Sequence, residues 1–161
     1  MSGGLDSLCA TAYVKSYKNY EIKIITFSYG QRAKREIVQS KKLAKALNSD
    51  EYRVVDISFM KQLYGNSNVL TNNKLSIPSK FDYTIVVPIR NAIFITIASA
   101  WAFSVNADFI VFGAHADDFN YPDCRPNFIE SITGTLNLGE EDNIRSGTKS
   151  KISVWSPSLE G

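Results

Sequence analysis

Two short β-branched runs with a helical stretch between them constrain this chain most. Ile22-Lys23-Ile24-Ile25-Thr26-Phe27 is followed by apolar positions at helical spacing from Ala33 to Leu47, and then by Tyr52-Arg53-Val54-Val55-Asp56-Ile57. A short, nearly continuous apolar run reads as a buried strand, and a helical crossover brings the strands on either side of it parallel. In the crossover Ile37, Ala44 and Leu47, with Val38 and Leu43 beside them, form the stripe. Lys34, Lys41, Lys42 and Lys45 lie off it and read as a solvated face. The rhythm returns at Ile85 to Asn91 and in an apolar helical segment from Ala92 to Val105, whose Phe94, Trp101 and Phe103 read as core. A strand over Asp108 to Gly113, a helix over Pro126 to Leu138 and a strand over Ile152 to Trp155 complete the series. The expected class is α/β, a doubly wound and mostly parallel sheet. Residues 61 to 83 break the pattern with Gly65-Asn66-Ser67-Asn68, Asn72-Asn73 and Pro78, as a loop on the substrate side would.

A length of 161 residues makes one domain the expectation. Lys and Arg number 18 against 16 Asp and Glu, so the formal charge of +2 gives no strong nucleic-acid signal. Cys9 and Cys124 are too few for a disulfide framework or a zinc pattern, which suits a reducing cytoplasm. No apolar run reaches membrane-spanning length and no signal segment opens the chain, so no membrane partner is expected.

Chemistry concentrates at the ends of the expected strands, where open α/β sheets bind ligands. The first such place is Ser2-Gly3-Gly4-Leu5-Asp6-Ser7. Adjacent glycines let successive N–H groups point into one concavity, and a helix starting behind them, capped by Asp6 or Ser7, adds its positive dipole end. A lone Ser-Gly-Gly serves equally as a flexible turn, but the full string resembles the PP-loop of the N-type ATP pyrophosphatases, which hold a leaving pyrophosphate there. No Gly-Lys-Ser/Thr follows as in a Walker A loop, and no Gly-x-Gly-x-x-Gly is present.

Three further stretches sharpen the resemblance: Tyr29-Gly30-Gln31-Arg32, Val87-Pro88-Ile89-Arg90-Asn91 and Tyr121-Pro122-Asp123-Cys124-Arg125. With the first loop, and in this order, they resemble the 7-cyano-7-deazaguanine synthase (QueC/ExsB) family across almost the whole chain. The resemblance implies an adenine nucleotide alpha hydrolase-like, Rossmann-like fold, with residues 1–161 forming one PP-loop ATP pyrophosphatase domain. It also implies a ligase in which ATP and Mg²⁺ activate a 7-carboxy-7-deazaguanine and ammonia displaces AMP. The resulting amide is dehydrated to the nitrile with further ATP. Ser2, Gly3, Gly4, Leu5, Asp6 and Ser7 are then expected to hold the phosphates, with Phe27, Tyr29 and Gln31 beside the nucleotide. Asp6 is the candidate for Mg²⁺, and Arg90 and Arg32 for neutralising charge. Asn91, His115, Asp117, Asp118, Tyr121, Asp123 and Arg125 are expected on the deazaguanine side. A guanine-type edge offers two adjacent donors, which one carboxylate, here Asp123, accepts as a bidentate pair.

Each residue also has a plainer role open to it. Arg32 has Glu36 four residues on as an ion-pair partner, and Arg90-Asn91 can cap a helix. His115 can be a structural hydrogen-bonder, Asp117, Asp118 and Asp123 turn formers, and Cys124 a small buried group. Many members of the family have Gly where Ile89 stands, and a β-branched residue is an outlier at positive φ, so the arginine is expected to sit differently if the loop needs that geometry. The family typically carries a four-cysteine zinc cluster in a C-terminal tail, whose ligands these residues lack. With only Met1 before the loop, the central first strand is expected to be missing, and the chain to be cut at both ends. Two other readings stand beside this one. The first is adenylation of a tRNA base for sulfur transfer, which needs catalytic cysteines and an RNA-binding surface. The second is a nucleotide-binding relative without catalysis, or one that transfers a deazaguanine to a protein. A homodimer is the commonest closed assembly.

Overall fold

The computed structural model describes residues 1–18, 20–29, 33–64 and 87–160. It is mixed α/β, with two parallel strand pairs, and its residues group into two compact units.

The first unit holds Met1–Gly4 and Glu21–Ile89. Strand β1, Lys23–Ser28, pairs in parallel with β2, Glu51–Asp56, from Lys23 opposite Glu51 to Ser28 opposite Asp56. Helix α2, Ala33–Ala46, makes the crossover between them, as the β-branched runs require. Its inward line differs in one respect from the apolar stripe. Ala44 is buried, but so is Ser40, while Val38 is exposed. A buried hydroxyl needs partners, and Ser40 Oγ lies 2.7 Å from Tyr52 OH on β2 and 3.1 Å from Thr26 Oγ1 on β1. Thr26 Oγ1 also donates to the Met1 carbonyl at 2.9 Å, which fixes the approach to the glycine loop. A short helix α3, Met60–Tyr64, follows β2, and the Tyr64 hydroxyl donates to the Pro88 carbonyl at 2.7 Å. Most of the expected substrate-side loop lies outside the described residues.

The second unit holds Leu5–Tyr20 and Arg90–Gly161. Helix α1, Leu5–Lys18, begins directly behind the glycines, so Asp6 and Ser7 fall in its first turn and do not precede it as caps. Helix α4, Arg90–Ser104, buries Ile95, Ala98, Ser99, Ala102 and Phe103. Phe94 and Trp101 are only half-buried, less than their apolar character suggests. Strand β3, Phe109–Val111, pairs in parallel with β4, Ser153–Trp155, through helix α5, Pro126–Gly139. Asn137 of α5 is buried and straps itself to the approach to β4, accepting from Ile152 N–H (3.0 Å) and donating to the Ile152 carbonyl (2.8 Å). The polar stretch after α5 contains a further short helix, α6, Glu141–Arg145. Among the described residues no helix is long and apolar enough to cross a membrane.

Ile89 takes φ of +49°. The loop before α4 thus has the left-handed geometry that glycine favours, at a β-branched residue whose side chain is 64% exposed. Such a residue costs about 1–3 kcal/mol there, against about 0.5–1 kcal/mol of extra unfolded-chain freedom that a glycine brings. Ile89→Gly is therefore expected to raise the melting temperature, by about 2 °C for a net gain near 0.5–1 kcal/mol. A lower melting temperature would mean that the isoleucine contributes packing its exposure does not reveal.

Candidate functional site

In the first unit, Gly3 has φ of +87°, and a Cβ built on it would lie 2.6 Å from the Glu36 carbonyl oxygen of α2. Both its torsion and the space available call for glycine. Gly4 is different: its φ is not in the left-handed region, and its amide donates to Ser2 Oγ at 3.2 Å in a tight local turn. Phe27 is half-buried on β1, and the Tyr29 hydroxyl reaches Glu36 at 3.5 Å. Gln31 and Arg32 lie outside the described residues.

In the second unit, Leu5, Asp6 and Ser7 open α1, with Leu5 and Asp6 exposed. The backbone at Gly113, just after β3, passes directly against Asp6 and Ser7. Local sequence reading misses this glycine, because its neighbour in space is more than 100 positions away.

The polar stretches around Asn91 and Asp123 meet through hydrogen bonds. The Asn91 backbone N–H, in the first turn of α4, donates to Asp123 Oδ2 at 2.8 Å. Asn91 Nδ2 lies 3.3 Å from Asp123 Oδ1 and 3.1 Å from Cys124 Sγ. The carboxylate thus sits at the positive end of α4, held through both oxygens by one residue. Arg90 stacks over Phe94 at 6.0 Å, and its Nε is buried with no hydrogen-bond partner among the described residues. A buried, unpaired guanidinium donor is a group that an anion can satisfy.

The remaining candidates serve the turns around this pair. His115 N–H donates to Asp118 Oδ2 at 3.1 Å, and His115 Nε2 lies 3.6 Å from the same oxygen. Asp117 is exposed, and Tyr121 is half-buried. Arg125 donates through Nε to the Phe119 carbonyl at 2.9 Å and lies 5.2 Å over the Phe119 ring. Asp118 and Arg125 therefore have local structural partners. No group of three His, Cys, Asp or Glu side chains that could hold a metal is found among the described residues.

Burial pushes the Cys124 thiol up to about 12, helped by the charges of Asp123 and Asp118 and opposed by Arg90 and the Asn91 hydrogen bond. At pH 8 the thiolate, the nucleophilic form, is then scarce. Iodoacetamide at pH 8 is expected to label the exposed Cys9 and to spare Cys124 until the protein unfolds. Peptide mapping showing early modification of Cys124 would contradict this.

The profile of one protein family, described as Queuosine biosynthesis protein QueC, matches residues 1–158. The chain is 40% identical over 146 residues to a 7-cyano-7-deazaguanine synthase of Staphylococcus epidermidis, covering 89% of this chain and 64% of that protein. It is 40% identical over 151 residues to one of Thermoplasma acidophilum, covering 91% and 63%. A similar enzyme of Prochlorococcus marinus is 36% identical over 168 residues, covering 99% and 71%. The chain thus spans a little under two thirds of the length of the first two of these relatives.

Proposed function

The chain belongs to the QueC family, and from that premise we propose that its protein is an ATP-dependent carbon–nitrogen ligase. It converts 7-carboxy-7-deazaguanine and ammonia to 7-cyano-7-deazaguanine (preQ0), a precursor of queuosine and archaeosine. A cytoplasmic home and a single PP-loop domain with a doubly wound sheet belong to the same reading. The observation that carries the chemistry is the pairing at α4, where a buried guanidinium donor at Arg90 stands next in sequence to the residue that orients the Asp123 carboxylate.

A carboxylate is a poor acyl donor, so it must first acquire a leaving group. Its oxygen attacks the α-phosphorus of ATP, and the bond to the β-phosphate breaks to release pyrophosphate. Ser2 to Ser7 are assigned to the phosphates, with Phe27, Tyr29 and Gln31 beside the nucleotide. Arg90 and Arg32 are assigned to the charge that develops. Ammonia then attacks the acyl carbon, AMP departs and a proton is lost, leaving the amide. The amide oxygen attacks a second ATP in the same way, releasing pyrophosphate, and loss of AMP together with both protons of the amide nitrogen gives the nitrile. Asp6, an exposed carboxylate and the one acidic residue in the first turn of α1, is the residue that would hold Mg²⁺ alongside the nucleotide. When bound, that ion neutralises phosphate charge.

Asn91 binds Asp123, and the carboxylate faces the two donors of the guanine-type edge with its remaining lone pairs. His115, Asp117, Asp118, Tyr121 and Arg125 are assigned to the deazaguanine side around it. The test is incubation with Mg-ATP, ammonium and 7-carboxy-7-deazaguanine, followed by mass spectrometry. The amide should appear first, then the nitrile, with two AMP and two pyrophosphate released per nitrile. Release of ADP, or ATP consumption without either product, would overturn the reading.

A further inference from the structure

We propose that Gly113 is a positioning residue for the start of α1, setting where the first turn of that helix presents its backbone to the leaving pyrophosphate. A Cβ at Gly113 would lie 2.6 Å from Ser7 N, 2.8 Å from Ser7 Cα and 2.9 Å from Asp6 C. Real Cβ atoms essentially never approach other heavy atoms within 3.0 Å, so something must move. All three atoms are backbone, so no side chain can swing aside to relieve the contact. The φ of Gly113 is outside the left-handed region, so alanine is compatible with its torsion, and the glycine is required by space alone.

The strand end therefore acts as a stop against which α1 begins. Any side chain at 113 lifts Asp6 and Ser7 off it. A shift of the order of 1 Å in a group that holds reacting atoms is enough to cost about a hundredfold in rate. The inference rests on the phosphate assignment of Ser2 to Ser7 made above, and it adds a residue that makes no contact with phosphate itself.

The test compares Gly113→Ala with Gly134→Ala in the purified protein. Gly134 lies inside α5 with nothing within 4 Å of a built Cβ. Binding of Mg-pyrophosphate and of Mg-ATP is measured by calorimetry beside the thermal melt and the steady-state constants. Gly113→Ala should weaken both probes at least tenfold and lower kcat about a hundredfold, with KM for the deazaguanine unchanged and the melt still cooperative. Gly134→Ala should leave binding and kcat as they are. Wild-type binding by Gly113→Ala overturns the inference and leaves the phosphate assignment standing. A Gly113→Ala protein with no cooperative melt also overturns it, since the glycine would then be a folding requirement. If the unaltered protein binds neither probe, the phosphate assignment fails first.

Discussion

Replacing Asp123 by Asn is expected to lower kcat/KM for the deazaguanine by about 10²–10³-fold while barely changing the KM for ATP or the melting temperature. The geometry makes this substitution informative. Asp123 receives the Asn91 backbone N–H at 2.8 Å on one oxygen and faces Asn91 Nδ2 at 3.3 Å with the other. An asparagine can keep its carbonyl on the backbone N–H, and the Asn91 amide can flip to offer its oxygen to the new NH₂. The internal contact survives at little cost. The outward edge cannot adapt in the same way, because the substrate presents two fixed donors where two acceptors stood. One donor meets an NH₂ group, and the other loses a charged acceptor. A charge-assisted bond is worth about 1.5–3 kcal/mol and a neutral one about 0.5–1.5 kcal/mol, so one bond lost and one weakened by about 1 kcal/mol together cost about 2.5–4 kcal/mol, the expected range. Asp123→Ala removes both acceptors but adds no opposing donor, so it should harm recognition less while costing more stability at Asn91. A large rise in the KM for ATP, with the deazaguanine KM unaffected, would reverse the assignment of Asp123.

The strands and helices were legible because each depends on local pattern. The β-branched runs at 22–27 and 52–57 became a parallel pair, and the stretch between them became α2. The stretches at 108–113 and 152–155 read as longer strands than the three-residue ladder that forms, since pairing requires both partners and apolar character belongs to one chain at a time. Ser40 stands next to lysines in the sequence, and no apolar pattern marks it as buried. Its burial follows from Thr26 and Tyr52, which reach it from two strands. Ile89 read as incompatible with a left-handed loop, yet it adopts that torsion, because local strain of a few kcal/mol is tolerated where surrounding structure sets the backbone. The Asn91–Asp123 link spans 32 positions and Gly113–Ser7 spans more than 100, so each becomes visible only when the chain is folded.

Gly3→Ala is expected to destabilise the protein by about 2–4 kcal/mol, a fall of roughly 4–16 °C in melting temperature, while Gly4→Ala stays within about 1 kcal/mol. The two glycines are adjacent in sequence and unlike in structure. At Gly3 an alanine must hold φ near +87° and bring its Cβ to 2.6 Å from the Glu36 carbonyl oxygen, with Ser40 N at 3.3 Å and Gln39 Cβ at 3.4 Å behind it. Helix α2 is poorly placed to give way, since Ser40 is fully buried and tied to Thr26 and Tyr52. The left-handed torsion costs about 1–2 kcal/mol and the forced contact a similar amount. At Gly4 the built Cβ meets Ser2 Oγ alone, at 3.3 Å, which is the end of a side chain and not backbone. Gly4→Ala should therefore loosen the local Gly4 N–H to Ser2 turn and weaken ATP binding modestly, with the melt preserved. Thermal melts of the two variants in parallel decide the matter. Equal melting temperatures would mean that α2 yields to a side chain at position 3, and that the loop geometry is held by something other than the space beside Glu36.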